Sequence, residues 1–448
     1  MIDSALDAAG HAPHRRWRIA VLLGIGVLVN FFDRVNVSVA FNALHTNWGV
    51  TAVTFGYLAS AYNWTYAVLQ IPIGVMLDRW GVRRVGRVAT FLWSMASFAS
   101  GLATGVYSFL AARLLLGIGE APTFPANAKA VGYWFPEQER SFATSLNDAA
   151  AKFASAIGVP ILGLLLIHFG WRWSFIFTGF ISFLYFMLFW GVYRNPSEDA
   201  RLSPAERQHL AAGNAQPESA PANRVTNRVT SPAHGAPLLY LLRQPQVIGA
   251  TIGFAAYNYV FYLVLTWLPT YLSMSLHVDL LHSAFDTSIP WLVATVTDLL
   301  VGGWMVDALV RRALARGGRP WLVRQAVLVG GLAFGTGIYG ARFAHTPAAA
   351  VVWISICMAG LGAMAPVGWS IPSFIAPRES VGRVGGIMNF ATQIAAISAP
   401  VITGYFARAH NFGGSFALAA VVLAIGIAGY VFGLGKLRVI PEPVTRNL

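Results

Sequence analysis

The chain has 448 residues, of which 56% are hydrophobic and only 11% charged, against roughly 25% charged residues in soluble globular domains. Its 18 acidic and 31 basic residues cannot solvate so large a surface, so lipid must cover much of it and a soluble fold is not expected. The net charge of +13 does not mark a nucleic-acid partner, because the arginines fall between long apolar runs and form no continuous stripe.

A spanning helix needs about 20 apolar residues, and the sequence offers twelve such runs. The first, 17–41, follows Arg15, Arg16 and Arg18 as a signal peptide would. It is longer than an h-region and contains Asp33 and Arg34, so it is read as a retained helix. Runs 52–77, 85–105, 107–133, 140–168 and 171–194 follow. Residues 195–245 are polar and rich in Pro, Ala, Asn and Ser, and read as a linker. Within it, Ser203 and Glu206 have capping-box spacing, Pro204 sits at the first helical position and Gly213 supplies a stop, so one short surface helix is expected. The second group is 246–275, 283–306, 324–344, 347–376, 383–410 and 412–436.

The expected architecture is an all-α polytopic membrane protein of twelve transmembrane helices. It divides into a tail 1–16, a six-helix bundle 17–194, a linker 195–245, a six-helix bundle 246–436 and a tail 437–448. Basic residues gather at one set of helix ends, Arg15, Arg83, Arg140, Arg312, Arg378, Lys436 and Arg446 among them, while the other ends hold Arg172, Arg342 and Arg408. The positive-inside rule then puts both tails and the linker in the cytoplasm. Cys357, the single cysteine, lies in an apolar run, which leaves no disulfide framework and no cysteine metal site.

Two loops echo one another. After the second run the chain reads Gly74, Asp78, Arg79, Gly81, Arg83, Arg84; after the eighth it reads Gly303, Asp307, Arg311, Arg312. Each places Gly where helices approach, Asp at a helix end and a basic cluster at the cytoplasmic face, where a pair can lock that face shut. With twelve runs and a central linker, the whole chain resembles the major facilitator superfamily. Phe32 to Asn36, Trp64 to Pro72, Arg113 to Pro122 and Trp134 to Arg140 make it similar to the sugar-acid branch of the anion:cation symporter family, the galactonate, glucarate and hexuronate group. The resemblance implies proton-coupled import of an organic anion by alternating access, with Asp33 and Glu120 as the proton-coupling pair and Ser370 and Asn389 contacting the sugar acid. Trp369 lies in the same segment as Ser370.

The residues support this independently. A charge at mid-membrane costs on the order of 2.5–3.5 kcal/mol on insertion scales, so Asp33, Arg34, Arg113, Glu120, Asp148, Lys152 and Asp298 each need a partner, a cavity or a function. Arg34 is suited to a bidentate hold on a substrate carboxylate, or to a structural pair with Asp33 or Glu120. Arg113, Gly117 and Glu120 share one helix face. A buried carboxyl near arginine changes protonation when an anion arrives, which gives coupling without a metal or cofactor, driven by the proton gradient. Fixed compensation of Arg34 and Arg113 is the alternative role for these acids. Tyr62, Tyr66 and Gln70 form a polar stripe for substrate oxygens or an aromatic packing face. The second half offers uncharged Tyr257, Asn258, Tyr262, Ser373 and Gln393.

Asp148 and Lys152 depart from that branch, whose corresponding stretch is uncharged. Spaced i, i+4, they either neutralise one another or make Lys152 a second cationic site for a dianion such as an aromatic dicarboxylate or phosphonate. Asp298 has no evident charged neighbour in its half, and a capping or inter-helix hydrogen bond is expected there. Central Arg34, Arg113 and Lys152 disfavour a proton-coupled drug exporter. No metal-ligand cluster and no phosphate loop is visible, so an enzyme is not expected. The expected partners are a small organic anion, protons and the lipid bilayer, the expected state a monomer, and the expected place the plasma membrane, the inner membrane if the source is bacterial.

Overall fold

The structure is a computed structural model that describes residues 14–136, 139–216, 218, 236–377 and 380–441. The expected tails before residue 14 and after residue 441, the middle of the linker, and Arg378 and Arg446 lie outside the described residues. The first half contains α1 (Arg15–Val39), α2 (Phe41–Trp48), α3 (Ala52–Gly101), α4 (Val106–Glu120), α5 (Thr123–Trp134), α6 (Arg140–Phe169) and α7 (Trp171–Val192). Short helices α8 (Pro204–Ala212) and α9 (Leu238–Leu242) lie in the linker. The second half contains α10 (Pro245–Ser275), α11 (Leu280–Thr297), α12 (Val306–Ala315), α13 (Pro320–Gly335), α14 (Pro347–Ile375), α15 (Val381–Arg408) and α16 (Phe412–Ala428). No strand occurs among the described residues.

Among the described residues, 9 helices are long and apolar enough to cross a membrane. The 50 residues of α3 would reach about 75 Å at 1.5 Å per residue, more than twice the hydrocarbon thickness of about 30 Å. It bends at Gly81, where φ is 76° and ψ 165°, a conformation that costs glycine little. Gly81 thus separates two helices, and the break expected after the second run is where the sequence puts it, tighter than a loop. The second half differs: α11 passes through a π-helical turn, Asp298–Met305, directly into α12, so Asp307 and Arg311 stand on a helix rather than a loop. Apolar Val306 and Val310 on the buried side of α12, one turn apart, carry the helix beyond the expected end of the run. Between α4 and α5, Pro122 removes a backbone donor and divides a single expected run.

Within the first half, α1 packs along α6 and α7, and α3 packs on α4 and α7. In the second half α10 packs on α15 and α16, and α14 on α11 and α13. The halves meet where α3 crosses α15, α6 crosses α11 and α1 crosses α10. Away from the linker this seam is closed, backbone against backbone: a Cβ on Gly56 would fall 2.5 Å from Pro400 O, and one on Gly404 2.7 Å from Ala52 O. Toward the linker end, Gly74, Gly382 and Gly386 have nothing beside them within 4 Å, so no such backbone contact closes the seam at these positions.

The linker helix forms as its sequence dictates, with the Ser203 hydroxyl accepting from Glu206 N at 3.1 Å and Gly213 at the stop. The box does not close, however. The fully buried Glu206 carboxylate turns away and accepts from Arg16 N at 3.0 Å and Arg16 Nη1 at 3.3 Å. Arg16 also reaches Glu139 at 2.8 Å, and Arg15 reaches Asp199 at 2.6 Å. Leu202 and Leu210 join the first half's apolar core beside Ile19, Trp134 and Tyr193. The described first part of the linker is thus fastened to the first half alone.

Removing one member of a buried ion pair costs about 3–5 kcal/mol, because the other charge is left unpaired. Asp199→Ala is therefore expected to lower the apparent melting temperature of the detergent-purified protein clearly, while Asp286→Ala, on the surface groove of α11 and α14, leaves it unchanged. Equal melting of Asp199→Ala and wild type would show that this contact does not fasten the linker.

Candidate functional site

Consecutive residues on a helix point about 100° apart, and this phase divides the two charges in the last third of α1. Arg34 faces the seam. Its Nε donates to Glu120 Oε2 at 3.0 Å, its Nη1 donates to the Tyr262 hydroxyl of the second half at 3.3 Å, and Nη2 has no partner among the described residues. Its guanidinium lies 4.9 Å from the ring centre of Phe31, 5.1 Å from Tyr62 and 5.6 Å from Tyr66. Such faces hold a cation in an environment that would otherwise reject it. Glu120 is fully buried, and its second oxygen, Oε1, has no donor.

Asp33 faces the interior of the first half. It accepts from Trp93 Nε1 at 2.5 Å, Ser97 Oγ at 2.7 Å and Ser182 Oγ at 2.8 Å. Neutral donors, and no arginine side chain, therefore hold it, so the structural pair of Arg34 with Asp33 that the sequence allowed does not form. Arg113 meets Asp33 at the backbone, donating from Nη1 to the carbonyl at 3.2 Å, with Nε and Nη2 unpartnered and Tyr62 at 5.1 Å. Sequence reasoning missed Trp93, Ser97 and Ser182. The signal was present: Ser174, Thr178 and Ser182 form an i, i+4, i+8 stripe on α7, and Ser174 and Thr178 bond Asn36 of α1 at 2.7 Å and 3.3 Å.

Across the seam, Asn389 Nδ2 of α15 donates to Gln70 Oε1 of α3 at 3.0 Å. Ser370 lies half-buried on α14 and donates to Val367 O at 2.7 Å. Trp369 is 48% exposed and meets Phe254 edge-on at 4.8 Å, so it stands apart from Arg34's aromatic cage. Lys152 Nζ donates to Asp148 Oδ2 at 2.9 Å and pairs with Asp298 of the second half. The expected hydrogen-bonding role of Asp298 is replaced by an ion pair, and its partner was invisible in sequence because it comes from the other half.

The echoing loops do not lock the two halves together. Asp78 pairs with Lys129 and Arg83 with Glu198 at 2.7 Å, all within the first half and its linker. Arg79, Asp307 and Arg311 have no ion-pair partner among the described residues. That agrees with a seam that Gly74, Gly382 and Gly386 leave without backbone contact at this end. No group of three or more candidate metal ligands occurs among the described residues.

Comparison with known proteins places these features. The Major Facilitator Superfamily model matches residues 23–323. The uncharacterized transporter YybO of Bacillus subtilis is 36% identical over 427 residues, 95% of each chain. The D-galactonate transporter of Escherichia coli O6:H1 is 31% identical over 437 residues, 98% of this chain and 99% of its own. The probable galactarate/D-glucarate transporter GarP of Escherichia coli K12 is 29% identical, with 98% and 99% covered. Among solved structures, a bacterial homolog to the human lysosomal transporter Spinster, inward-facing and unoccupied, superimposes with a TM-score of 0.73 at 17% identity, covering 95% of this chain and 98% of the other.

Removing one donor from a buried acceptor costs about 1–3 kcal/mol. Trp93→Phe keeps the packing but takes the indole N–H from Asp33, and is expected to lower thermal stability by that amount in a melting scan, with Phe91→Leu, on an exposed position of the same helix, as the neutral comparison.

Proposed function

The chain belongs to the major facilitator superfamily, and from that premise we propose that it imports an organic monoanion of the sugar-acid type together with protons, by alternating access. It is a multi-pass membrane protein and not an enzyme. The proposal includes twelve spans in two six-helix bundles, 17–194 and 246–436, with the tails and the linker 195–245 at the cytoplasmic face of the plasma membrane, and a monomer that needs no cofactor. The basic residues at the linker end support that orientation, and the bends at Gly81 and Pro122 supply the span ends that nine long helices leave uncounted.

One observation carries the functional reading: a buried guanidinium at the seam is held by one carboxylate and retains a free Nη2, while that carboxylate retains a free oxygen. An arriving carboxylate finds a donor aligned for bidentate binding. As it takes the guanidinium, Glu120 loses its counter-cation in a water-poor site and gains reason to accept a proton. Release of the substrate on the other side returns Arg34 to Glu120 and expels the proton. Asp33, the second proposed proton carrier, connects to this exchange through Arg113, which binds the Asp33 carbonyl and shares the Tyr62 ring with Arg34. Tyr66, Trp369, Ser370 and Asn389 are proposed to orient the polyol, and Asp78, Arg79, Arg83, Asp307 and Arg311 to gate the linker end. The relative named for D-galactonate, a sugar monoacid, supplies the substrate class, while galactarate and D-glucarate, for which another relative is named, are diacids. A dianion is less favoured, because its second acid group would reach Lys152 only by displacing one of two carboxylates.

Glu120→Gln in proteoliposomes is expected to retain exchange of labelled against unlabelled monoacid and to lose accumulation under an inward proton gradient. Undiminished accumulation would remove Glu120 from the coupling. Arg34→Lys keeps the charge but loses the fork, and is expected to weaken monoacid binding at least about tenfold, or roughly 1.4 kcal/mol, in a calorimetric titration. Equal affinity would mean that substrate binds elsewhere.

A further inference from the structure

The charges within the helices that line the seam do not balance. Buried Arg34, Arg113 and Lys152 face buried Asp33, Glu120 and Asp298 and the partly buried Asp148, and the surplus acid lies in the cluster that the proposed coupling does not use. In that cluster two carboxylates share one ammonium. Lys152 is 1% exposed and Asp298 fully buried, while the Asp148 side chain keeps 22% exposure. Asp148 and Asp298 both pair with the one Lys152 ammonium, and neither Asp298 oxygen has a further hydrogen-bond donor among the described residues. Two carboxylates that share a single ammonium in a largely buried site leave one negative charge uncompensated, which a proton on one of them removes.

The surroundings leave no other resolution. From α6 come Asp148 and Lys152, from the π-helical turn Asp298, and from α10 the phenol of Tyr257, with Tyr262 beyond it toward Arg34. Beyond Tyr257 lies only the Tyr430 phenol of the turn that ends α16. From α14, Ala363 and Pro366 pack on Gly302 of the same turn and bring no charge. Among the described residues no second cation pairs with either carboxylate. The carboxylates also belong to different halves, so the cluster bridges the seam. Its more exposed member, Asp148, lies nearer the start of α6, at the linker end.

We propose that Asp148, Lys152 and Asp298 form a second proton-binding site that straddles the seam, holds one proton between its two carboxylates, and fastens the halves to each other at this depth only while that proton is present. Protonated, the cluster is neutral and joins α6 to α11. Deprotonated, two anions face one another across the seam with one cation between them, and the halves are freer to part. The proton enters from the linker end through Asp148. The ammonium beside the pair disfavours a metal cation in the same place. This goes beyond the proposed coupling at Glu120 and Asp33 and rests on reading the two halves as moving parts.

The test counts protons and needs no substrate, so it is decided separately from the cargo. Purified full-length protein in unbuffered detergent solution is titrated through the neutral range, and Asp298→Asn is expected to exchange about one proton fewer per molecule than wild type. Glu120→Gln loses its own proton separately, and the double variant loses both. If Asp298→Asn does not fold, Asp148→Asn carries the same test, because the shared proton disappears with either carboxylate. Cysteine pairs introduced at Gly74 and Gly386 and spin-labelled are expected to report a separation that changes with pH in wild type and not in Asp298→Asn. A proton count unchanged by both Asp298→Asn and Asp148→Asn would overturn the proposal. So would sodium ions displacing the counted proton at fixed pH, which would assign the cluster to a metal cation.

Discussion

A charge placed at the middle of a bilayer has few ways to be stable, and the first half of this molecule is arranged around one such charge. The Arg34 guanidinium is compensated on one edge by Glu120, bounded on its faces by Phe31, Tyr62 and Tyr66, and reached from the other half by the Tyr262 hydroxyl. Each feature offsets part of the desolvation that the bilayer imposes. What remains unsatisfied among the described residues is one guanidinium nitrogen and one carboxylate oxygen of the same pair, and it is on this incompleteness that the proposed exchange rests.

Helix phase decides how the neighbouring acid is used. Asp33 is one residue from Arg34, yet it lies in a nest of Trp93, Ser97 and Ser182 inside the first half. These donors come from α3 and α7, so the carboxylate also ties three helices together. Arg113 joins the two environments by binding the Asp33 backbone while sharing the Tyr62 face with Arg34. A change of charge at either acid therefore reaches the other through one side chain.

The two ends of the seam differ for a physical reason. At the end away from the linker, glycines and alanines let backbones touch, as at Gly56 against Pro400 and Gly404 against Ala52, and small-residue packing is how helices adhere in lipid. At the linker end the polar groups pair within the first half instead, Asp78 with Lys129, Arg83 with Glu198, and Arg15 and Arg16 with linker acids. The linker's described first part is held to the first half alone. The Lys152 and Asp298 pair is the charged contact that crosses the seam at depth.

The sequence by itself determined the class of the protein and which charges lie within its helices. Apolar runs fix helices because lipid leaves the backbone no other way to satisfy its hydrogen bonds, and a charge within such a run announces itself by its cost. That made Arg34, Glu120, Arg113 and Lys152 legible, along with the linker helix from its Ser203 cap. It did not reveal that α11 continues through a π-helical turn into α12, because a continuing helix and a loop there have the same composition. Nor did it reveal partners. Asp33 with Trp93 and Ser182, Arg16 with Glu206, and Lys152 with Asp298 are separated by 60 to 190 residues. Each pairing depends on the rotation and depth of two helices relative to each other, and only packing of the whole chain sets those.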